Sequence, residues 1–238
     1  MADAAVGPGD RVVEVGAGLG SLTVALADAG PARVLALEVD RRLIPPLEEV
    51  TTGLPAVEVR CADATRFGWA RELRGAGWLV CANLPYNVSV PLVMTVLESA
   101  PAVERIVVMV QREVGERLAA EPGRPGFGAV SLRVAYRADA AVVRRVPPEV
   151  FWPRPAVASV VVRLVRRASP PVEVDEARLW RVVDAGFAER RKTMRNALRR
   201  IGVEDPDGVL RAAGLEPSVR AEELSLAAFA AIAGRIDP

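Results

Sequence analysis

Residues Val12–Gly20 read VVEVGAGLG, and this stretch decides the fold. A short β-branched run, Arg11–Val15, ends in glycines at alternate positions, Gly16, Gly18 and Gly20. Such a run predicts a buried strand. Ser21–Ala29 follows with helical spacing and closes at Gly30. Glycines between a strand and a helix allow a tight turn and let the backbone approach a ligand. A glycine run alone also marks ordinary strand–helix turns, so its meaning depends on what surrounds it.

Outward from this stretch the pattern alternates. Arg33–Leu37, Val57–Arg60, Trp78–Ala82 and Ile106–Val110 predict strands. Arg41–Val50 (disturbed by Pro45 and Pro46), Val90–Ala100 and Val114–Ala120 predict helices. Ser131–Tyr136, Ala140–Val146 and Ser159–Val165 read as later strands. Short strands alternating with helices predict an α/β fold, a Rossmann-like parallel sheet with helices on both faces. After Arg167 the composition shifts. Ala168–Val174 is Pro-rich and reads as a linker. Glu176–Ile201, Pro206–Ala213 and Ala221–Ile236 predict helices, with stop signals at Gly202, Gly214 and Pro217. The expected organisation is a nucleotide-binding domain over residues 1–167 and a small all-helical domain over 168–238.

Composition narrows the chemistry. The 238 residues are 51% hydrophobic and 26% charged, an ordinary globular balance. The chain contains no histidine, which excludes an imidazole base, nucleophile or metal ligand. Cys61 and Cys81 form no CxxC pair, so neither a zinc site nor a disulfide framework is expected, and a reducing, cytoplasmic home fits. The start, MADAAVGPGD, has no apolar region of the signal-peptide kind. The most apolar stretch, Trp78–Leu97, is interrupted by Asn83, Pro85, Asn87, Ser89 and Pro91, so no membrane span is expected. A monomer is expected because no extra apolar helix face stands out.

Net charge is only +1, yet Arg190, Arg191, Lys192, Arg195, Arg199 and Arg200 fall within eleven residues that hold no acid. Arg191, Lys192, Arg195 and Arg199 lie at spacings that would share one helix face. That face can bind phosphates; it can equally be a solvated surface balanced by acids from elsewhere.

Two further features sharpen the glycine run. Glu38 ends the second strand, 22 residues after Gly16, where a carboxylate can hold a ribose diol. Asp63, in Cys61-Ala62-Asp63-Ala64, follows the third strand and can accept from an adenine amino group. Glu14 sets a negative charge beside the loop, which suits a cationic cofactor better than a pyrophosphate. S-adenosylmethionine, a sulfonium with an ammonium, is therefore preferred over NAD.

The fourth strand ends in Asn83-Leu84-Pro85-Tyr86. Adenine's amino nitrogen is a poor nucleophile because its lone pair is delocalised into the ring. Two acceptors holding its hydrogens, the Asn83 side chain and a backbone carbonyl stiffened by the adjacent proline, can turn that lone pair toward a methyl donor. Tyr86 can stack on a base that has left its helix. No titrating base is required, and positioning supplies most of the catalysis. Alternatively the segment is a buried turn with Tyr86 in the core. Downstream, Phe151-Trp152-Pro153-Arg154-Pro155 has two prolines that fix an extended loop and can present Phe151 as a second stacking face, while Trp152 can pack beneath a strand connection.

Taken in order, these motifs resemble the ribosomal RNA adenine N6,N6-dimethyltransferases that modify small-subunit rRNA. The resemblance runs from about Asp10 to the end, through VVEVGAGLGSLT, ALEVDRRL, CADATRF, NLPYNVSVPL, MVQREVGERLAAEPG, VPPEVFWPRPAVASVVVRL, RRKTMRNAL and RAEELSLAAF. It implies a class I methyltransferase sheet and a cofactor, S-adenosylmethionine, bound by Glu14, Gly16, Gly18, Glu38, Asp63, Ala64 and Asn83. It implies that Asn83, Leu84, Pro85 and Tyr86 orient the adenine and that Phe151 stacks on it. It implies rRNA contacts from Arg190, Arg191, Lys192, Arg195 and Arg199, and a partner in the 30S subunit, with no metal and no membrane. The expected reaction is dimethylation of two adjacent adenosines in a 3′-terminal hairpin of 16S rRNA during small-subunit biogenesis. The macrolide-resistance methyltransferases of 23S rRNA share the glycine loop, the Asn-x-Pro-Tyr site and the Phe-x-Pro loop, and are the alternative. Family members usually carry an earlier segment with a Gln-x-Phe-Leu-like motif over the cofactor. It does not precede the first strand here: either the start is late, or the segment is lacking, and in the second case a ribosome-assembly factor with weak or no methylation is a further alternative. An NAD-dependent oxidoreductase leaves Asn83-Leu84-Pro85-Tyr86 without a role.

Overall fold

A computed structural model describes residues 2–85, 88–189 and 191–236. The chain forms two compact units, Met1–Glu116 with Ala138–Arg166, and Arg117–Arg137 with Arg167–Pro238. The chain thus enters the second unit twice, first over 117–137 and again after 166.

The first unit is built on seven strands: β1 (Arg11–Val15), β2 (Arg33–Glu38), β3 (Val57–Cys61), β4 (Trp78–Asn83), β5 (Val103–Gln111), β6 (Ala138–Val146) and β7 (Ser159–Arg166). They lie in the order β3-β2-β1-β4-β5-β7-β6. From β1 the chain builds outward to β3, then crosses back to place β4 on the other side of β1. The order therefore reverses between β1 and β4, the point where open α/β sheets bind ligands at their carboxyl ends. The first five strands pair in parallel, but β7 runs antiparallel to both β5 and β6. The sheet is thus mixed rather than wholly parallel. Residues 147–158 join β6 to β7 without the crossover helix that a parallel pair requires.

Helices α1 (Ser21–Asp28), α2 (Ile44–Val50), α3 (Trp69–Glu72), α4 (Ser89–Ser99) and α5 (Arg112–Leu118) connect the parallel strands or follow them. Pro45 and Pro46 begin α2 instead of breaking it, because first-turn N–H groups have no helical partner to lose. Val12, Leu26, Val34, Leu79, Cys81 and Val107 form one buried layer against the sheet. Ala17, Ala36 and Leu47 form a second layer. Arg166 holds the end of α4: its guanidinium donates to the carbonyls of Leu97 (2.9 Å), Val96 (3.1 Å) and Ala100 (3.1 Å).

The second unit contains α6 (Ala129–Arg137), α7 (Glu176–Phe187), α8 (Met194–Arg200), α9 (Pro206–Ala212) and α10 (Leu226–Ala233). Leu132, Tyr136, Leu179, Val183, Met194, Leu198, Leu210, Phe229 and Ile232 share its core. The expected strand at 131–136 is helix α6. Leu132, Val134 and Tyr136 alternate, which imitates a strand, but Leu132 and Tyr136 also stand four apart and join that helical core. The single helix expected over 176–201 is two. Thr193 takes an extended conformation and bridges Arg220, and Met194 N–H donates to the Val219 carbonyl at 2.8 Å. Close packing at Gly186 accompanies the break: a Cβ there would lie 3.0 Å from Met194 Sδ and 3.1 Å from Ala221 Cβ. Among the described residues no helix is long and apolar enough to cross a membrane.

Candidate active site

Strand register places the sequence-predicted residues along one edge of the first unit. Val15 pairs with Leu37 on one side and Ala82 on the other, so Gly16 leaves the sheet between Glu38 and Asn83. Glu38 pairs with Cys61, two residues before Asp63. The three glycines all take positive φ: +73° at Gly16, +58° at Gly18 and +85° at Gly20. A Cβ at Gly16 or Gly18 would meet nothing within 4 Å, so the loop faces open space.

The loop is held from below by a carboxylate. Glu38, 6% exposed, accepts from Gly18 N–H at 2.8 Å through Oε2 and from Asp40 N–H at 2.9 Å through Oε1. Each oxygen keeps a second lone pair for a hydroxyl donor. Asp63 Oδ1 accepts from the backbone N–H (2.8 Å) and the hydroxyl (2.7 Å) of Thr65. These bonds hold its carboxyl below the usual carboxylate range. Ala64 is buried, and its carbonyl accepts from the indole N–H of buried Trp69 at 3.0 Å.

Glu14 lies inside, 1% exposed, and Thr23 Oγ1 donates to its Oε2 at 2.5 Å. Burial pushes its carboxyl up to about 7, the Thr23 bond opposes the rise, and the Glu38 charge adds to it. Thr23 had no role in the sequence reading. Its only signal is a hydroxyl between Leu22 and Val24, inside the apolar run of the helix.

The donor set decides which group fits. Glu38 bonds the loop, Glu14 stands two residues before it on β1 and Asp63 two residues after β3, so the donor set is acidic. Carboxylates repel a pyrophosphate and accept from ribose hydroxyls, an ammonium or an adenine amine. The residues present therefore fit S-adenosylmethionine.

Beside the cradle lies a cleft of about 420 Å³, lined by Asn83, Leu84, Pro85, Met109, Val110, Phe151, Trp152, Pro153, Pro155 and Ser159. Asn83 pairs with Met109 across β4 and β5, and Leu84 N–H donates to the Met109 carbonyl at 3.0 Å. Asn83 and Pro85 are exposed and Leu84 is buried, so the turn presents polar groups outward while its leucine anchors it. Two segments almost seventy residues apart thus meet in one cavity. Trp152 does not pack beneath a strand connection: it is 98% exposed. Tyr86 lies outside the described residues.

The basic cluster is less unified than its spacing implied. Arg191 and Lys192 precede α8, so they do not share a helix face with Arg195 and Arg199. Arg195 Nε donates to Asp207 Oδ1 at 2.5 Å, and Arg200 pairs with Glu189. Arg191, Lys192 and Arg199 are exposed. Arg190 lies outside the described residues. Among the described residues no group of three or more His, Cys, Asp or Glu side chains is placed to hold a metal.

A family model for ribosomal RNA adenine dimethylase matches residues 1–237. The ribosomal RNA small subunit methyltransferase A of Moorella thermoacetica is 43% identical, covering 96% of this chain and 83% of the relative. Its namesake from Streptomyces griseus is 44% identical, covering 97% and 81%. Among solved structures, a dimethyladenosine transferase from Plasmodium falciparum superposes with a TM-score of 0.81 at 23% identity, covering 96% of this chain and 90% of that one, and supports the fold. The 23S rRNA methyltransferase ErmE superposes at 0.77 with 26% identity, covering 100% and 95%. With the whole chain matched and an acidic glycine cradle beside an Asn-Leu-Pro cleft, this protein belongs to the ribosomal RNA adenine dimethylase family.

Proposed function

We propose that this chain transfers methyl groups from S-adenosylmethionine to N6 of two adjacent adenosines in the 3′-terminal hairpin of 16S rRNA, as a step in small-subunit biogenesis. The observation that carries the reading is the meeting of Asn83-Leu84-Pro85 with Phe151 in one cleft beside the glycine loop. Relatives 43–44% identical over nearly the whole chain are named for small-subunit rRNA.

When bound, the cofactor supplies an electrophilic sulfonium methyl. The chain does the rest by placement. Gly16 and Gly18 bring backbone close to the ligand, Glu38 accepts from its ribose, and Asp63 with Ala64 borders its adenine. In the first transfer the Asn83 side-chain oxygen and the Leu84 carbonyl each accept one N6–H of the target base, and in the second the single remaining N6–H is held by one of them. That removes conjugation of the nitrogen lone pair with the ring and aims it at the methyl carbon. Pro85 stiffens the turn, and Phe151 with Tyr86 stacks on the flipped base. Each transfer replaces one N6–H by a methyl, and the displaced proton leaves to water. Arg190, Arg191, Lys192 and Arg199 in the second unit bind rRNA phosphates, whereas Arg195 is held by Asp207. The chain acts on the 30S subunit as a cytoplasmic monomer and needs no metal.

The test is methyl transfer to small subunits lacking the mark, mapped by mass spectrometry. Four added methyls on two neighbouring 16S adenosines are expected. Methylation confined to 23S rRNA would favour the second reading, which the 26% identity to ErmE keeps in view. Absence of any methyl transfer would end both.

A further inference from the structure

We propose that Trp152 is a stacking platform for the nucleobase next to the target adenosine, a subsite separate from the one that holds the target. The inference rests on the rRNA adenine reading above and extends the same cleft by one nucleotide.

The chain has four tryptophans, and three are satisfied within the fold. Trp69 and Trp78 are 1% and 2% exposed, and their indole N–H groups donate to the carbonyls of Ala64 (3.0 Å) and Arg74 (3.1 Å). Trp180 donates to Glu176 at 2.9 Å, meets Tyr136 edge-on at 5.1 Å and lies under Arg133 at 4.6 Å. Trp152 differs on each count. It is 98% exposed, and among the described residues it belongs to no ring pair or cation–π contact and nothing hydrogen-bonds to its indole. No other large apolar side chain among the described residues is so fully in water; the next, Val39 and Val150, are 64% exposed.

Its position gives that exposure a use. Trp152 lines the cleft with Asn83, Pro85 and Phe151, so it stands at the rim of the cavity that receives the target base. Pro153 and Pro155 restrict the backbone that presents it. A base drawn out of its helix leaves its neighbour with one unstacked face, and an aromatic side chain at the rim can cover that face. An indole overlaps a purine more fully than a pyrimidine, so the subsite favours an adenosine neighbour. That preference fits a substrate in which two adenosines are modified in turn.

The test uses the full chain and unmethylated small ribosomal subunits. Trp152→Ala should raise KM about tenfold, the scale of a lost base–aromatic stack, with kcat within about twofold. Trp152→Phe should recover most of the loss, because a phenyl ring still stacks. Subunits with uridine beside a single target adenosine should weaken the wild type but not Trp152→Ala further, since the two changes remove one contact. Unchanged KM in Trp152→Ala, a fall in kcat alone, or no rescue by phenylalanine would each overturn the proposal. These outcomes are distinct from failure of the reading beneath it, which would show as wild-type protein adding no methyl to 16S adenosines.

Discussion

The cofactor cradle and the basic cluster were both conspicuous as sequence, and the structure treats them differently. In the cradle, Gly16, Glu38 and Asn83 stand at or next to strand ends. The sheet fixes those ends in register, and nearby groups finish the arrangement: Gly18 and Asp40 N–H on Glu38, Thr65 on Asp63, Thr23 on Glu14. In the cluster, the same density of polar residues yields a broken helix, one arginine spent on Asp207 and another on Glu189. Strand ends inherit their geometry from a sheet that many residues enforce. Helix-surface charges inherit theirs from whichever partner competes best. Geometry read from sequence is therefore firmer at the first than at the second.

The largest test of that contrast is Asn83→Ala. If the strand-end residues carry the chemistry, kcat should fall by about a thousandfold, on the scale of losing a transition-state hydrogen-bond partner. Circular dichroism should be unchanged, because Asn83 is exposed. A variant that kept full rate would remove the chemical role from the best-positioned residue in the molecule.

Gly18→Ala is next, with Gly202→Ala as its counterpart in the helical unit. Both glycines have positive φ, +58° and +87°, and a Cβ at either meets nothing within 4 Å. Backbone strain should lower stability by about 1 kcal/mol in each. Only the Gly18 change puts a methyl group on the loop proposed to hold the cofactor. Calorimetry should show affinity for S-adenosylmethionine falling at least tenfold for Gly18→Ala and staying unchanged for Gly202→Ala. Equal affinities would detach the glycine loop from the ligand.

Glu14 sharpens the electrostatic side. Its ordinary carboxyl value is 4.5, and burial raises it to about 7 in the fold. Between those values the unfolded chain ionises while the folded carboxyl stays neutral. Stability from the neutral form is thus full below pH 4.5 and lost as pH rises through about 7. The interval corresponds to about 3 kcal/mol at most. Glu14→Gln should match wild type at about pH 4 and exceed it at about pH 8 in thermal midpoint. For a cationic cofactor the sign reverses. The ionised form attracts it, so wild-type affinity should rise through about pH 7, while Glu14→Gln should bind roughly tenfold more weakly at about pH 8 and show a flat profile. A wild-type profile as flat as the variant's would leave the buried charge without a ligand.

The strands β1–β5 and the edge carrying the site were legible because hydrophobic runs and glycines report local geometry directly, whereas the order of strands in the sheet and the antiparallel course of β7 were not. What escaped the sequence was set by tertiary contact. The alternation of Leu132, Val134 and Tyr136 resembles a strand until the neighbouring helices claim two of them for a core. The break at Thr193 depends on Val219 and Arg220, which no local pattern announces. Asn83 and Phe151 were each recognisable, but the roles of Met109, Val110 and Ser159 in walling their cleft follow from strand pairing alone. Trp152 reads in the sequence as a ring packed beneath a strand connection, and only its exposure in the fold overturns that.

The smallest effect separates cations that spacing alone makes equivalent. Arg191 and Lys192 are exposed, whereas Arg195 is half-buried and bonded to Asp207 across α8 and α9. A phosphate that took Arg195 would have to displace a carboxylate already in place, whereas at Arg191 or Lys192 it displaces only water and counterions. Each phosphate contact releases about one counterion, so it adds about one to the slope of log affinity against log salt. Arg191→Ala with Lys192→Ala should therefore flatten that slope by about two for binding to unmethylated small subunits. Arg195→Ala should leave the slope almost unchanged and lower the thermal midpoint slightly, as loss of a partly exposed ion pair does. If Arg195→Ala flattened the slope as much as Arg191→Ala alone, the Asp207 bond would have to open on RNA. The helix-surface charges would then be tied to function no less firmly than the residues at the strand ends.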